Sequence, residues 1–211
     1  MHLAVFASGG GSNFQSVLDA IHAGTLQARV TLCVSNKATA GALVRAEENG
    51  IPCLVLDPNS FGDESSYEAV LLAALSEHGV THIALAGYLR RIPSGVVAAF
   101  RWRIVNIHPA LLPAYGGPGM YGRHVHEAVI AAKDAFSGAT VHFVDEEYDT
   151  GPIVLQEAVP ILPGDDPEAL AARVLRAEHR LYPAALQLLS EGRIQPQGRR
   201  VLIDPTPLPT P

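Results

Sequence analysis

Cys33 and Cys53 are the only two cysteines in the 211-residue chain. That is too few for a disulfide framework, and no second pair completes a zinc site of the Cys-x-x-Cys kind. A reducing, cytoplasmic setting is the expectation. No run of ~18 apolar residues occurs, so no transmembrane helix is expected, and the first residues carry neither the basic region nor the apolar stretch of a signal peptide. Basic charge is scarce: Lys+Arg 15 against Asp+Glu 21 leaves a formal net charge of −6. That balance is the reverse of the footprint of a nonspecific nucleic-acid binder, although a small anion can still be held by local dipoles. Internal repeats are absent. What is present is 48% hydrophobic residues over a length suited to one domain, and a chain of this size buries ~70% of the surface it exposes when unfolded, with no need of disulfide or metal.

The hydrophobic pattern alternates short apolar runs with helical periodicity. Residues 3–7 read as a strand, Ser8-Gly9-Gly10-Gly11 as a glycine loop, and Phe14, Val17, Leu18 and Ile21 as one face of a helix that Ser12 and Asn13 open. The alternation continues through strands at 30–34, 53–56 and 81–86 and helices at 40–49, 65–77 and 94–100. Continuous apolar strands of this kind belong to a mostly parallel sheet covered on both faces. Beyond a strand at 103–107 comes a long Pro/Gly-rich loop, 108–122, then a helix at 125–133. Two β-rich runs, 138–144 and 153–159, joined by the acidic turn 145–151, are expected to pair antiparallel. A long helix at 167–189, bent near Pro183, precedes an edge strand at 199–203 and a disordered tail at 205–211.

Several constellations carry chemistry. Glycines between a strand and a helix let backbone approach a ligand, and the helix start offers free N–H groups and a positive dipole end, a phosphate site. It is neither a Walker A loop nor a G-x-G-x-x-G dinucleotide loop. On an extended strand Asn106 and His108 share one face while Val105 and Ile107 share the other, and Pro109 disfavours a helical conformation at His108. The pair would lie at the carboxyl end of a strand, where ligands bind in open α/β sheets. The four carboxylates Asp145, Glu146, Glu147 and Asp149 in one turn are expected to raise one another's pKa. Asp149-Thr150-Gly151 also matches the aspartic-protease triplet, which needs a second copy that only a homodimer could supply. Glu178 falls on the apolar stripe of the last helix, between Val174 and Leu181, so it faces inward and needs a partner: a polyhydroxyl ligand, an internal Arg or His179. His124 and His126 resemble a metal pair, but residues two apart diverge on a helix and no third ligand is evident, so no metal is expected.

Residues 8–13, Leu85-Ala86-Gly87-Tyr88, Asn106-Ile107-His108-Pro109-Ala110-Leu111-Leu112-Pro113, residues 137–144 and Tyr148-Asp149-Thr150-Gly151-Pro152 together resemble the phosphoribosylglycinamide formyltransferases, folate-dependent enzymes of purine synthesis. The resemblance spans nearly the whole chain. It implies a Rossmann-like formyltransferase α/β fold in a single domain, 1–204, with a phosphate-binding half (1–100) and a catalytic and folate-binding half (101–204). It also implies that Gly11, Ser12 and Asn13 hold the substrate phosphate, Glu178 meets the ribose hydroxyls, and Gly87 and Asn106 place the glycinamide amine. Leu89, Arg90, Arg91 and Ile92, with Glu146, Glu147, Tyr148 and Asp149, would line the folate pocket. Asn106, His108 and Asp149 would be catalytic, Asn106 and a protonated His108 donating to the oxyanion and Asp149 raising the pKa of His108. The cosubstrate would be 10-formyltetrahydrofolate, with no tightly bound cofactor, no metal, no nucleic-acid or membrane partner, and a monomer or weak homodimer as the working form. The family's phosphate-binding Arg and Lys or Gln are replaced by Glu64 and Leu175, which leaves Arg176 or a cation of the long loop, 114–123, to take over. A methionyl-tRNA formyltransferase would carry a further C-terminal domain. A formyltetrahydrofolate deformylase would have a regulatory domain before the glycine loop and a second His at the place of Pro109. A noncatalytic sugar-phosphate binder would have no use for Asn106, His108 and Asp149 together.

Overall fold

The computed structural model describes residues 1–205; the expected tail falls almost wholly outside them. Strands β1 (His2–Phe6), β2 (Arg29–Ser35), β3 (Cys53–Val55), β4 (His82–Leu85), β5 (Ile104–His108), β6 (Phe136–Phe143) and β7 (Ile153–Pro160) form one sheet in the order β3-β2-β1-β4-β5-β6-β7. Pairing is parallel from β3 through β5 and antiparallel for β5–β6 and β6–β7. The connecting helices are α1 (Ser12–His22), α2 (Gly41–Glu48), α3 (Glu64–Glu77), α4 (Ser94–Ala99), α5 (Arg123–Ala132) and α6 (Pro167–Ser190).

Period-two alternation distributes each strand between two apolar layers. Leu3 and Val5 pack with Phe14, Val17, Val125, Val174 and Tyr182 on the face covered by α1, α2, α5 and α6. Ala4 and Phe6 pack with Tyr67, Leu71, Leu75 and Val96 on the face covered by α3 and α4. Burial of a Leu- or Phe-sized side chain contributes ~1.5–3 kcal/mol, so the sheet is held from both sides. Among the described residues no helix is long and apolar enough to cross a membrane.

β1 leads to β2 on one side of the sheet and β4 lies on the other, so the strand order reverses between β1 and β4, which opens a crevice at their carboxyl ends. The loops that follow these two strands are tied together there: Ser8 N–H donates to the Gly87 carbonyl at 3.0 Å and the Ser8 hydroxyl accepts from Leu89 N–H at 2.9 Å. Helix α6 crosses beneath. Its fully buried Tyr182 hydroxyl lies 2.9 Å from the Leu85 carbonyl and 3.2 Å from that of Val105, pinning the helix to β4 and β5. α6 continues through Pro183 to Ser190.

One strand differs from expectation. Residues 200–203 form β9 (Arg200–Ile203), which pairs with β8 (Ile194–Gln197) in a separate antiparallel hairpin rather than extending the main sheet. Gly198, at φ +61°, stands in the two-residue connection, and so short a closure favours the local partner over a distant sheet edge.

Candidate active site

β5 delivers the central pair. Asn106 lies opposite His142 of β6 and His108 opposite Thr140, while Val105 and Ile107 point into the opposite apolar layer, as their alternation requires. His142 was not singled out by sequence reasoning; the alternation along β6 is the signal that could have found it. Its Nδ1 is 2.8 Å from the Phe143 carbonyl. A carbonyl can only accept, so Nδ1 carries the proton and Nε2 is the acceptor. The Asn106 amide accordingly donates to Nε2 at 3.1 Å.

Asp149 closes the cluster from the turn between β6 and β7. Its backbone is left-handed, φ +58°, a conformation Asp tolerates better than most residues. Gly151 makes the turn feasible, because a Cβ there would sit 1.8 Å from the Phe143 carbonyl oxygen. The Asp149 carboxylate accepts from Gly117 N–H at 2.9 Å, lies 3.6 Å from His108 Nδ1, and lies 3.5 Å from both the Asn106 amide and His142 Nε2. Burial pushes this carboxyl up, yet the neighbouring His142 and His108 rings and the Gly117 amide outweigh it and hold it below the usual range. The expected mutual raising within the acidic turn is therefore not what governs Asp149, whose carboxylate meets the Gly117 and Asn106 amides and the two imidazoles.

His108 is 3% exposed. Its Nε2 donates to the Tyr115 carbonyl at 2.8 Å, which leaves Nδ1 facing Asp149. Burial lowers its pKa, Asp149 and the Tyr115 carbonyl pull it back up, and the net direction is downward. This corrects the expectation of a raised value: Asp149 acts in the expected sense but lies beyond hydrogen-bond reach, and desolvation wins. Loop 109–122 is fastened around the pair by Thr140, whose hydroxyl donates to the Ala110 carbonyl at 2.6 Å and accepts from Leu112 N–H at 3.1 Å.

These residues open into a cavity of about 760 Å³, a size typical of small-molecule sites. Asn13, Gly87 and Glu178 line it. Glu178 is buried, as its place on the helical stripe required, and its partner on the chain is neither an Arg nor His179: Asn13 Nδ2 donates to its carboxylate at 2.6 Å. Burial pushes the Glu178 carboxyl up, and the Asn13 bond only partly offsets that. Leu89, Arg90, Arg91, Ile92, Glu146, Glu147 and Tyr148 line it as well, and the Arg91 guanidinium bridges to the Glu146 carbonyl at 3.1 Å. The two sequence halves thus interleave, since Glu178 joins Asn13 while 89–92 join 146–148.

Gly11 and Ser12 do not line the cavity wall; they stand just before Asn13 at the start of α1. Gly11, at φ +74°, is the N-cap, and no side chain caps the helix, so its first-turn amides are left for a ligand. A Cβ at Gly11 would come within 2.9 Å of Ala42. Of the residues weighed for phosphate charge, Leu175 lines the cavity and Glu64 and Arg176 do not. Arg123 lines it but is paired with Glu127 and Glu168. Arg45, unmarked in the sequence, is the cation in contact with the glycine loop, donating to the Gly10 carbonyl at 2.8 Å and to Gln15 at 2.7 Å.

Residues 1–186 match the formyl transferase family. A protein of Vigna unguiculata named phosphoribosylglycinamide formyltransferase, chloroplastic, is 48% identical over 91% of this chain, and the chain spans 62% of that relative's length. A Haemophilus influenzae protein named phosphoribosylglycinamide formyltransferase is 38% identical over 98% of this chain and 95% of its own. The crystal structure of glycinamide ribonucleotide transformylase 1 from Symbiobacterium toebii superposes with a TM-score of 0.90 at 40% identity, covering 96% of this chain and 93% of that one. With a Rossmann-like sheet, a site at its strand-order reversal and matches across nearly its whole length, this chain belongs to the formyl transferase family.

Proposed function

We propose that the protein transfers the formyl group of 10-formyltetrahydrofolate to the primary amine of glycinamide ribonucleotide. What carries the reading is the Asn106, His108, His142 and Asp149 cluster in a cavity that Asn13 and Glu178, and also 89–92 with 146–148, line. The phosphate sits at the uncapped start of α1, over Gly11, Ser12 and Asn13, where the helix dipole and the neighbouring Arg45 favour an anion. Glu178 meets the ribose hydroxyls, and Gly87 and Asn106 place the amine. The folate lies along Leu89, Arg90, Arg91 and Ile92 against Glu146, Glu147 and Tyr148.

The amine nitrogen attacks the formyl carbon, and the carbonyl π electrons move to oxygen. Two donors meet that oxyanion. One is the second amide hydrogen of Asn106, which is spent only on the 3.5 Å contact with Asp149; the other is His108 Nδ1, which no hydrogen bond holds. His108 is neutral in the free protein because burial lowers its pKa, so the proton it donates arrives during the reaction. The attacking nitrogen sheds that proton to Asp149, which passes it to His108 Nδ1, where it meets the oxyanion. Collapse of the tetrahedral centre breaks the bond to the folate nitrogen and moves the same proton from His108 to that nitrogen, which leaves protonated. No cofactor need be tightly held. All the named residues lie on one chain, so a monomer or weak homodimer suffices, and the free thiols suit a reducing cytoplasm.

A coupled absorbance assay with glycinamide ribonucleotide and 10-formyl-5,8-dideazafolate tests the reading. Turnover that requires the amine is expected. Formate release without the amine would assign a hydrolase instead, and ribonucleotide binding with no folate reaction would leave a noncatalytic binder.

A further inference from the structure

The buried imidazole of His126 is unused by this chemistry. α5 turns one face inward with Val125, His126 and Val129 buried. His126 is 5% exposed, and its Nδ1 is enclosed without a hydrogen-bond partner. An apolar side chain at that position would avoid the cost of an unpaired buried nitrogen. His124, two residues earlier, is exposed and pairs with Glu127, so the two histidines serve different surroundings.

Placement indicates what His126 meets. Its side chain lines the cavity, so Nε2 is the ring nitrogen that faces it. α5 packs against α6, and the α6 residues on that wall are Pro167, Glu168, Ala171, Ala172, Leu175 and Glu178, the last bonded to Asn13 at the start of α1. Between Glu168, which holds Arg123, and Glu178 this wall carries no hydrogen-bonding side chain. His126 is also near enough to His108 for the two rings to influence each other, and both line the same cavity. Burial keeps the His126 ring neutral. A neutral ring with an enclosed Nδ1 is best served by leaving that nitrogen as the bare acceptor, since a buried orphan N–H is the rarer arrangement. The proton then sits on Nε2 and points into the cavity.

We propose that His126 is a substrate-binding residue, its Nε2–H donating to an oxygen of the phosphoribosyl group of the amine substrate. The assignment rests on the formyl-transfer reading and adds to it the donor that the apolar part of α6 does not provide.

Two variants test it, His126→Leu and His126→Gln, with glycinamide ribonucleotide as probe. For His126→Leu the account expects KM for the ribonucleotide to rise about tenfold, as loss of one ~1.4 kcal/mol hydrogen bond requires. KM for the folate should stay within twofold. The melting temperature of the free protein should hold or rise, because an unpaired buried nitrogen has been removed, while the stabilisation given by ribonucleotide alone shrinks. His126→Gln, which keeps a donor, should recover part of the loss. An unchanged ribonucleotide KM and thermal shift in His126→Leu, with wild-type turnover normal, overturns the assignment and leaves the formyl-transfer reading standing. A fall in the free protein's melting temperature in both variants, with both KM values rising together, shows a packing role and also overturns it. A wild type that neither binds nor uses the ribonucleotide removes the underlying reading as well.

Discussion

At the scale of single residues the site is governed by competition between burial and nearby charge. In the proposed chemistry His108→Ala removes the group that takes on charge beside the oxyanion, and turnover is expected to fall roughly 10²–10⁴-fold. Asn106→Ala is expected to cost roughly 10²–10³-fold. Steady-state kinetics with unchanged circular dichroism checks both, and loss of fold in place of turnover would assign the pair a structural role. Glu178 yields a prediction of opposite sign. Its folded pKa is raised by burial, so its carboxyl favours the fold while protonated, below its ordinary value, and that contribution is lost as pH rises through the folded pKa. Glu178→Gln keeps an acceptor for Asn13, so the variant should gain in melting temperature over wild type as pH goes from 5 to 8, while binding the ribonucleotide more weakly. A stability difference that does not change with pH would contradict this. Asn106, His108, Asp149 and Glu178 were readable from motif and periodicity because each sits at a position that alternation or helical spacing marks. His142 and Arg45 were not, because their roles come from strand register and loop contact across 36 and 35 residues.

The elements carry the site through a few tight backbone approaches. The turn joining β6 to β7 places Asp149 only because Gly151 packs against the Phe143 carbonyl, with no room for a methyl group. Gly151→Ala should therefore displace the turn, costing roughly 1–3 kcal/mol of stability and lowering turnover at least tenfold with the sheet intact. Thermal melts read beside kinetics check this, and a variant with wild-type turnover would show that the position of Asp149 does not depend on the turn. Strands and helices were legible because their apolar residues repeat with period two or 3.6. β9 was recognised as a strand, but its partner was not: pairing is decided by the two-residue connection through Gly198, which hydrophobic pattern does not encode. The left-handed backbone at Asp149 was equally invisible, since it follows from the closeness of two strands.

For the molecule as a whole, acid is the expected weakness. Burial lowers the pKa of His108, His126 and His179 and pushes His82 down to about 4. Unfolding returns each to its ordinary value of 6.5, so the unfolded chain binds more protons just below that pH. The stability these groups contribute is complete above pH 6.5 and is lost as pH falls through their folded values. Urea midpoints should decline steadily from pH 6.5 toward 4, and a flat profile would contradict the burial of these rings. The same burial links fold to the proposed function, since it also lowers the pKa of His108. The most direct test of the whole account follows the formyl carbon itself. Protein is supplied with glycinamide ribonucleotide and 10-formyltetrahydrofolate labelled with ¹³C in the formyl group, and the products are read by mass spectrometry for wild type and His108→Ala. The account predicts labelled formylated ribonucleotide from the wild type and at least a hundredfold less from the variant. Labelled formate with unmodified ribonucleotide, or equal labelling by both proteins, would contradict it.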